Sequence, residues 1–209
     1  MSLIVNRRDL DFVMYETLDL NEILESEHYA DYDRESLDAM MDLCQSLAED
    51  QFLPSAGKLD ANEPKFIDGK VETIPELKEA INAYREAGLC TSAYDADIGG
   101  MQLPWMMDQA LNGMFVCANN PIHTYLFLTQ GVANMLNACG SDELKDKYLP
   151  KLVAGEWFGT MCLSETQAGS SLADIRSKAD VLPDGSYKIT GTKMWISGGE
   201  QDITDNIVH

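Results

Sequence analysis

The feature that most constrains the fold is a stretch of 33 residues, Gln109–Ser141, without a single Asp, Glu, Lys or Arg. A segment with no charged side chain has no face that prefers water, so we expect it to be buried along most of its surface. A membrane-spanning helix needs about 20 consecutive apolar residues, and Asn, Gln, Gly and Pro interrupt this stretch. Because Asn119-Asn120-Pro121 stands near its middle, the stretch predicts two helices buried on most sides, at 105–118 and 122–138, and no membrane span.

Helical spacing is clear elsewhere in the first three quarters of the chain. Apolar residues recur at helical intervals over 35–52 and again after Pro75, a residue that favours the first turn of a helix, and Gly88 can end that second helix. Ser141 is a typical N-cap for a further helix. Residues 53–73 mix Pro, Gly and polar residues, which predicts a long connector.

The character of the sequence changes after Gly155. Residues 159–164 and 186–197 are rich in Thr, Tyr, Ile, Trp and Met, with turn signals between them, which predicts strands. The chain is therefore predicted to be α+β, with a helical domain over 1–158, including an acidic N-terminal extension, and an incomplete β-domain over 159–209. About 50 residues of sheet are too few to bury both faces, so a further C-terminal part is expected.

Charge and cysteine usage exclude several classes of protein. The chain carries 15 Lys and Arg against 35 Asp and Glu, a net charge of −20, which argues against nucleic acid as a partner. Residues 1–8 form no signal peptide, so a cytoplasmic protein is expected. The five cysteines form no C-x-x-C pair and the three histidines no ligand spacing, which predicts reduced core cysteines and no metal site.

Two segments of the β-part carry candidate chemistry. Residues 161–172 read as a short strand that enters a Gly/Ser turn, where Gly169 would allow close approach of the backbone to a ligand. Strand alternation over 193–199 would place Trp195 and Ser197 on one face, where they could flank a flat heteroaromatic group. Each segment taken alone also fits a plain turn, or a core tryptophan beside a surface serine.

Together, these segments resemble the two flavin signatures of the acyl-CoA dehydrogenase family. The first is Cys162-Leu-Ser-Glu-Thr-Gln-Ala-Gly-Ser-Ser171 and the second is Ile189-Thr-Gly-Thr-Lys-Met-Trp-Ile-Ser197. The resemblance extends over residues 75–209. The acidic prefix, residues 1–50, and residues 198–209 are similar to the large bacterial subgroup that includes the methylmercaptopropionyl-CoA dehydrogenases. This chain departs from the family at two positions. Thr166 stands where the family usually has Pro, and Ser171 stands where the family usually has Asp.

The resemblance implies FAD as cofactor and α,β-dehydrogenation of an acyl-CoA thioester as the reaction, with electrons passed to electron-transfer flavoprotein. It also implies an acyl-CoA dehydrogenase fold, with a helical domain, a middle β-barrel or β-sandwich domain and a C-terminal helical domain that is absent here. A homodimer or homotetramer is implied for the full-length protein. The implied cofactor-binding residues are Met161, Leu163, Ser164, Gly169, Ser170, Trp195, Ile196 and Ser197, with Ser170 also binding the coenzyme A part of the substrate.

No catalytic residue is assigned within this chain, because the family's proton-abstracting Glu usually lies in the C-terminal domain. The chain alone is therefore expected to be inactive. Two alternatives remain open on sequence: an acyl-CoA oxidase or flavin monooxygenase of the same fold, and a non-catalytic helical module whose acidic face binds a basic partner.

Overall fold

A computed structural model describes residues 2–209, which are mainly helical up to residue 153, with one short hairpin, and carry only short strands beyond it. The helices are α1 (Arg7–Asp11), α2 (Leu20–Leu24), α3 (Arg34–Leu47), α4 (Ala56–Ala61), α5 (Pro75–Glu86), α6 (Trp105–Cys139) and α7 (Asp142–Val153). The strands are β1 (Lys65–Ile67), β2 (Lys70–Glu72), β3 (Phe158–Gly159), β4 (Lys178–Val181), β5 (Tyr187–Thr190) and β6 (Ile207–Val208). Wider π-helical turns, Phe12–Thr17 and Ala48–Phe52, directly follow α1 and α3.

Local capping explains where the predicted helices begin and end. Asp33 accepts a hydrogen bond from the N–H of Ser36 (2.8 Å), and the Ser36 hydroxyl accepts one from the N–H of Asp33 (3.0 Å), which closes a capping box before α3. Pro75 is the first residue of α5, and Gly88 adopts a left-handed φ of +75° just beyond its end. Ser141 caps α7. The predictions for Pro75, Gly88 and Ser141 are confirmed.

The long apolar helix α6 is broken in its middle, as Asn119-Asn120-Pro121 predicts. Asn119 has non-helical dihedral angles, φ −161° and ψ 87°, and Pro121 has no N–H with which to continue the helical ladder. The prediction that both halves are buried on most sides is wrong in part, because Phe127 and Met135 are more than half exposed. An uncharged surface on a helix does not by itself mean that the surface is covered.

Two stretches differ from the sequence prediction. The predicted connector, 53–73, contains α4 and an antiparallel β1–β2 hairpin. The predicted strands are much shorter than expected, since β3 ends at Gly159 and β5 ends at Thr190. Side-chain and backbone contacts with other segments hold residues 160–177 and 191–206 in irregular conformations, and these contacts have no local sequence signal.

The main core lies between α3, α5 and α6. Phe52, Tyr84 and Phe115 form an aromatic cluster there, with ring centroids 4.8–6.2 Å apart. The acidic prefix contributes Met14 and Leu20 to the same core. Burial raises the pKa of the Cys44 thiol to about 12, but Cys117 and Cys139 are exposed, so the expectation of core cysteines holds for only some of them.

Three two-stranded pairings make up the sheet structure. Strands β1 and β2 pair antiparallel, as do β4 and β5, while β3 and β6 pair in parallel. The parallel pair joins the end of the helical part to the last residues of the chain. Among residues 2–209, none of the helices is long and apolar enough to cross a membrane.

Candidate active site

The first candidate segment leaves β3 and makes a tight turn at Glu165. The N–H of Glu165 donates to the carbonyl of Ala168 (2.8 Å), and the N–H of Ala168 donates back (3.2 Å). Both residues are buried, whereas Gly169 and Ser170 follow them into solvent. The turn is thus fixed at its base, and its Gly/Ser tip is exposed.

Glu165 is the buried anchor of this turn. Its carboxylate accepts hydrogen bonds from the N–H groups of Arg176 (2.9 Å) and Ser177 (3.0 Å) and from the Gln167 amide (2.6 Å), and it pairs with the Lys193 ammonium at 2.9 Å. Hydrogen bonds from Ser177, Arg176 and Lys193 hold the pKa of Glu165 well below its usual range. The carboxylate is therefore a structural charge and is not available as a proton acceptor.

The two candidate segments run side by side in opposite directions. Near one end, the Thr160 hydroxyl donates to the carbonyl of Ser197 (2.6 Å). In the middle, the N–H of Met194 donates to the carbonyl of Ser164 (3.0 Å). At the other end Lys193 reaches the Glu165 carboxylate. Residues 160–165 and 193–197, which are far apart in sequence, are therefore brought together.

Trp195 breaks the strand alternation predicted for the second segment. Its φ is +56°, a left-handed conformation that is rare for a residue with a bulky side chain, and residues 191–197 form no strand. The argument that alternation places Trp195 and Ser197 on one face is therefore wrong. The side chain of Trp195 is 81% exposed. An exposed indole on a strained backbone is more typical of a functional position than of a packing position.

Apolar side chains are left open to solvent along this paired unit. Met161 is 56% exposed and Leu163 is 39% exposed, and Trp195 of the second segment is exposed as well. Within residues 2–209, the hydroxyls of Ser164 and Ser197 take part in no hydrogen bond. An apolar surface with unused hydroxyl groups can hold a flat polar ring by contact and by a few directed hydrogen bonds.

The structure does not bring all the predicted residues together. Met161, Leu163, Ser164, Ile196 and Ser197 lie in the paired region, with Trp195. Gly169 and Ser170 lie beyond the turn, and within residues 2–209 neither makes a hydrogen bond to the second segment. No atom of the described chain lies within 4 Å of where a Cβ on Gly169 would stand. Nothing in this part of the molecule therefore demands glycine there.

The helical part holds the loop that follows the second segment. Asp202 accepts hydrogen bonds from the Thr73 hydroxyl (2.6 Å) and the Lys78 ammonium (2.7 Å). Burial by itself raises the pKa of Asp202, but the bonds from Lys78 and Thr73 outweigh it and lower the value. Sequence reasoning gave no role to Asp202, Thr160, Glu165 or Lys193. Only the charges inside the two signatures could have pointed to the Glu165–Lys193 pair.

A buried polar cluster lies away from this site, between the two halves of α6. Asp108 accepts hydrogen bonds from the Asn112 amide (3.0 Å) and from Ser92, and the Asn112 oxygen contacts Nε2 of His123 at 3.1 Å. Burial lowers the pKa of His123 to about 4, so the ring is neutral at pH 7. The adjoining cavity of about 20 Å³ is large enough for one water molecule. Residues 2–209 contain no group of three or more His, Cys, Asp or Glu placed to hold a metal ion.

Comparison with known proteins places these features in a family. The model of the acyl-CoA dehydrogenase N-terminal domain matches residues 34–156, more than half of the chain. A butyryl-CoA dehydrogenase of Syntrophomonas wolfei is 33% identical over 207 residues, covering 97% of this chain and 34% of the relative. A 3-methylmercaptopropionyl-CoA dehydrogenase of Ruegeria pomeroyi is 37% identical over 150 residues, covering 72% of this chain and 26% of the relative.

Solved structures agree with this assignment at the level of the fold. An acyl-CoA dehydrogenase of Bacillus anthracis, solved in complex with FAD, superposes with a TM-score of 0.64 at 22% identity and covers 80% of this chain and 27% of its own. The chain spans between a quarter and a third of the length of these curated relatives. The resemblance seen in the sequence, including that to methylmercaptopropionyl-CoA dehydrogenases, is confirmed. The chain belongs to the acyl-CoA dehydrogenase family.

Proposed function

We propose that the full-length protein carrying this chain is an FAD-dependent acyl-CoA dehydrogenase that introduces an α,β double bond into an acyl-CoA thioester. The observation that carries the proposal is the pairing of two flavin signatures through Thr160–Ser197, Ser164–Met194 and Glu165–Lys193. Family membership supports the reaction class. The names of the relatives support short acyl groups such as butyryl and methylmercaptopropionyl.

The groups present in the paired unit fit a flavin. An isoalloxazine ring offers a flat apolar surface with carbonyl and ring-nitrogen acceptors at its edge. Met161, Leu163 and Trp195 supply exposed apolar contact, and the hydroxyls of Ser164 and Ser197 are available as donors. When bound, FAD would accept the hydride from the β carbon of the thioester. This chain would bind and orient the ring.

Each site residue has a proposed role in that arrangement. Met161, Leu163 and Ser164 would contact the flavin ring from the first signature, and Trp195, Ile196 and Ser197 from the second. Beyond the tight turn, the exposed Gly169 and Ser170 would lie toward the pyrophosphate of FAD. Ser170 would also bind the coenzyme A portion of the substrate.

Further proposals concern the rest of the protein. We propose that the carboxylate that takes the α proton lies outside these 209 residues, so that the chain alone does not turn over. Electrons would pass to electron-transfer flavoprotein, and the full-length protein would form a homodimer or homotetramer. We propose that the helical domain ends at residue 158 and that the β domain begins at residue 159. Five free cysteines favour the reducing environment of the cytoplasm.

The test is a visible absorption spectrum of the purified full-length protein, recorded anaerobically before and after addition of butyryl-CoA, methylmercaptopropionyl-CoA and a long-chain acyl-CoA. We expect a flavin spectrum that is bleached by the short thioesters. Because Trp195 lies in the proposed flavin contact and Trp105 lies at the start of α6, Trp195→Ala should weaken FAD binding and Trp105→Ala should not. A colourless protein that takes up no added FAD would refute the proposal.

A further inference from the structure

Thr160 occupies the junction between the helical part and the two flavin signatures. It follows β3 directly, and its N–H donates to the carbonyl of Val208 (3.0 Å) in the parallel pairing with β6. Its side chain is almost fully buried, with 2% of the residue exposed. The hydroxyl donates to the carbonyl of Ser197 at 2.6 Å. One residue thus links β3 to the end of the second signature.

Ser197 is fixed on the side of its carbonyl by this bond and by the residue that follows. Gly198 has a left-handed φ of +65°, a conformation that residues with a side chain rarely adopt. The Thr160 bond and this conformation of the next residue together define the peptide group between Ser197 and Gly198. Because the orientation of that peptide group fixes the backbone of Ser197, it fixes the Cβ atom that carries the Ser197 hydroxyl.

We propose that Thr160 is a positioning residue, which orients Ser197 toward the flavin by holding the Ser197 carbonyl. The inference rests on the proposed function, because it presupposes that Ser197 hydrogen-bonds the flavin ring. Thr160 does not touch the flavin and acts through Ser197. Its β-branched side chain has few allowed rotamers, so the hydroxyl direction is well defined.

Loss of the Thr160 hydroxyl would leave the Ser197 carbonyl without its partner. Because Ser197 is itself an exposed residue, its carbonyl would then be free to rotate toward another donor or toward water. The Ser197 hydroxyl would move with it. We therefore expect a change at the flavin that is separate from any change in folding stability.

The matched variants are Thr160→Val, which keeps the shape and removes the hydroxyl, and Thr160→Ser, which keeps the hydroxyl. Thr129→Val serves as the control, because Thr129 is another buried threonine at the same junction. Its hydroxyl accepts from the N–H of Gly159 (3.1 Å) and donates to the carbonyl of Tyr125 (2.8 Å), so it makes no bond to Ser197. Thr160→Ala is the second variant without the hydroxyl, should Thr160→Val fail to fold.

The measurements are the FAD dissociation constant, the flavin absorption maxima and the flavin midpoint potential of the full-length holoenzyme. Thr160→Val should weaken FAD binding by about fivefold, which corresponds to one hydrogen bond, and should shift the spectrum and the potential. Thr160→Ser should resemble the wild type. Thr129→Val should lower thermal stability and should shift the spectrum and the potential less than Thr160→Val does, because Thr129 reaches the site only through the N–H of Gly159.

Combination with Ser197→Ala tests whether Thr160 acts through Ser197. In a Ser197→Ala background, Thr160→Val should cause no further shift of the potential. Equal shifts in both backgrounds, or no shift from Thr160→Val in the wild-type background, would overturn the inference while leaving the proposed function intact. A wild-type protein that binds no flavin would overturn both.

Discussion

At the residue scale, the buried charge of Glu165 has a structural role in the candidate site. Glu165 is 5% exposed and accepts hydrogen bonds from both signatures and from the segment that follows the turn. A buried carboxylate with so many donors stabilises the fold only while it is charged. Its role is to hold Leu163 and Ser164 at a fixed distance from the second signature.

The pH dependence of stability tests this role. A carboxyl group with a lowered folded-state pKa contributes stability that is present above its unfolded value, about 4.3, and is lost as pH falls through the lower folded value. Glu165→Gln should therefore lower the urea midpoint of the full-length protein clearly at pH 7, and the difference from the wild type should narrow at pH 3. Glu63→Gln is the control, because Glu63 is exposed. A difference that stays the same at both pH values would contradict the assignment.

At the element scale, the side chain of Asn119 connects the break in α6 to the core. The amide of Asn119 donates to the carbonyl of Phe52 (3.1 Å) and to the Ser55 hydroxyl (3.2 Å), and its oxygen accepts from the N–H of Ile122 (3.4 Å). Asn119 therefore caps the second half of the helix and also ties the break to the turn that follows α3.

Asn119→Ala should destabilise the protein by about 1–3 kcal/mol, because it leaves buried polar groups without a partner. Asn120→Ala, one residue further along, changes an exposed side chain and should cost much less. Chemical denaturation of both variants measures the difference. Equal losses would show that the proline alone determines the break and that the Asn119 contacts are incidental.

Features that depend only on neighbouring residues could be predicted from the sequence. The break in α6, the start of α5 and the caps of α3 and α7 depend on neighbouring residues, and each has a local signal. The course of residues 191–197 depends on Thr160 and Glu165, about 30 residues away in sequence. Such contacts override strand propensity and leave no periodicity. The identity of the candidate site residues was accessible through the signatures, but their supports were not.

At the scale of the whole molecule, the candidate site is joined to the helical part at two separate places. Asp202 binds Thr73 and Lys78 beside the start of α5, and Gly159 donates to Thr129 in α6. A Cβ on Gly159 would stand 2.6 Å from a methyl of Val132, so only glycine allows this close approach. The helical part therefore acts as the rigid support on which the two candidate segments are placed.

The acidic prefix belongs to that support. Residues 2–33 lie before the matched family domain, yet Met14 and Leu20 are buried in the main core. The Tyr15 hydroxyl donates to Asp38 of α3 at 3.0 Å. Net negative charge in this segment does not prevent it from packing, because most of its acids are exposed while Ile4, Met14, Tyr15 and Leu20 are buried.

Shortening a buried side chain of the acidic prefix tests whether the prefix is part of the folded core. Leu20→Ala should destabilise the full-length protein by about 2–5 kcal/mol, since Leu20 is fully buried and its removal leaves a cavity. Leu18→Ala is the matched control, because Leu18 lies two residues away and is half exposed, so its cost should stay within about 0.5 kcal/mol. Thermal and urea unfolding measure both. If Leu20→Ala costs no more than Leu18→Ala, the prefix is a loosely attached appendage and the candidate site is supported by α3 to α7 alone.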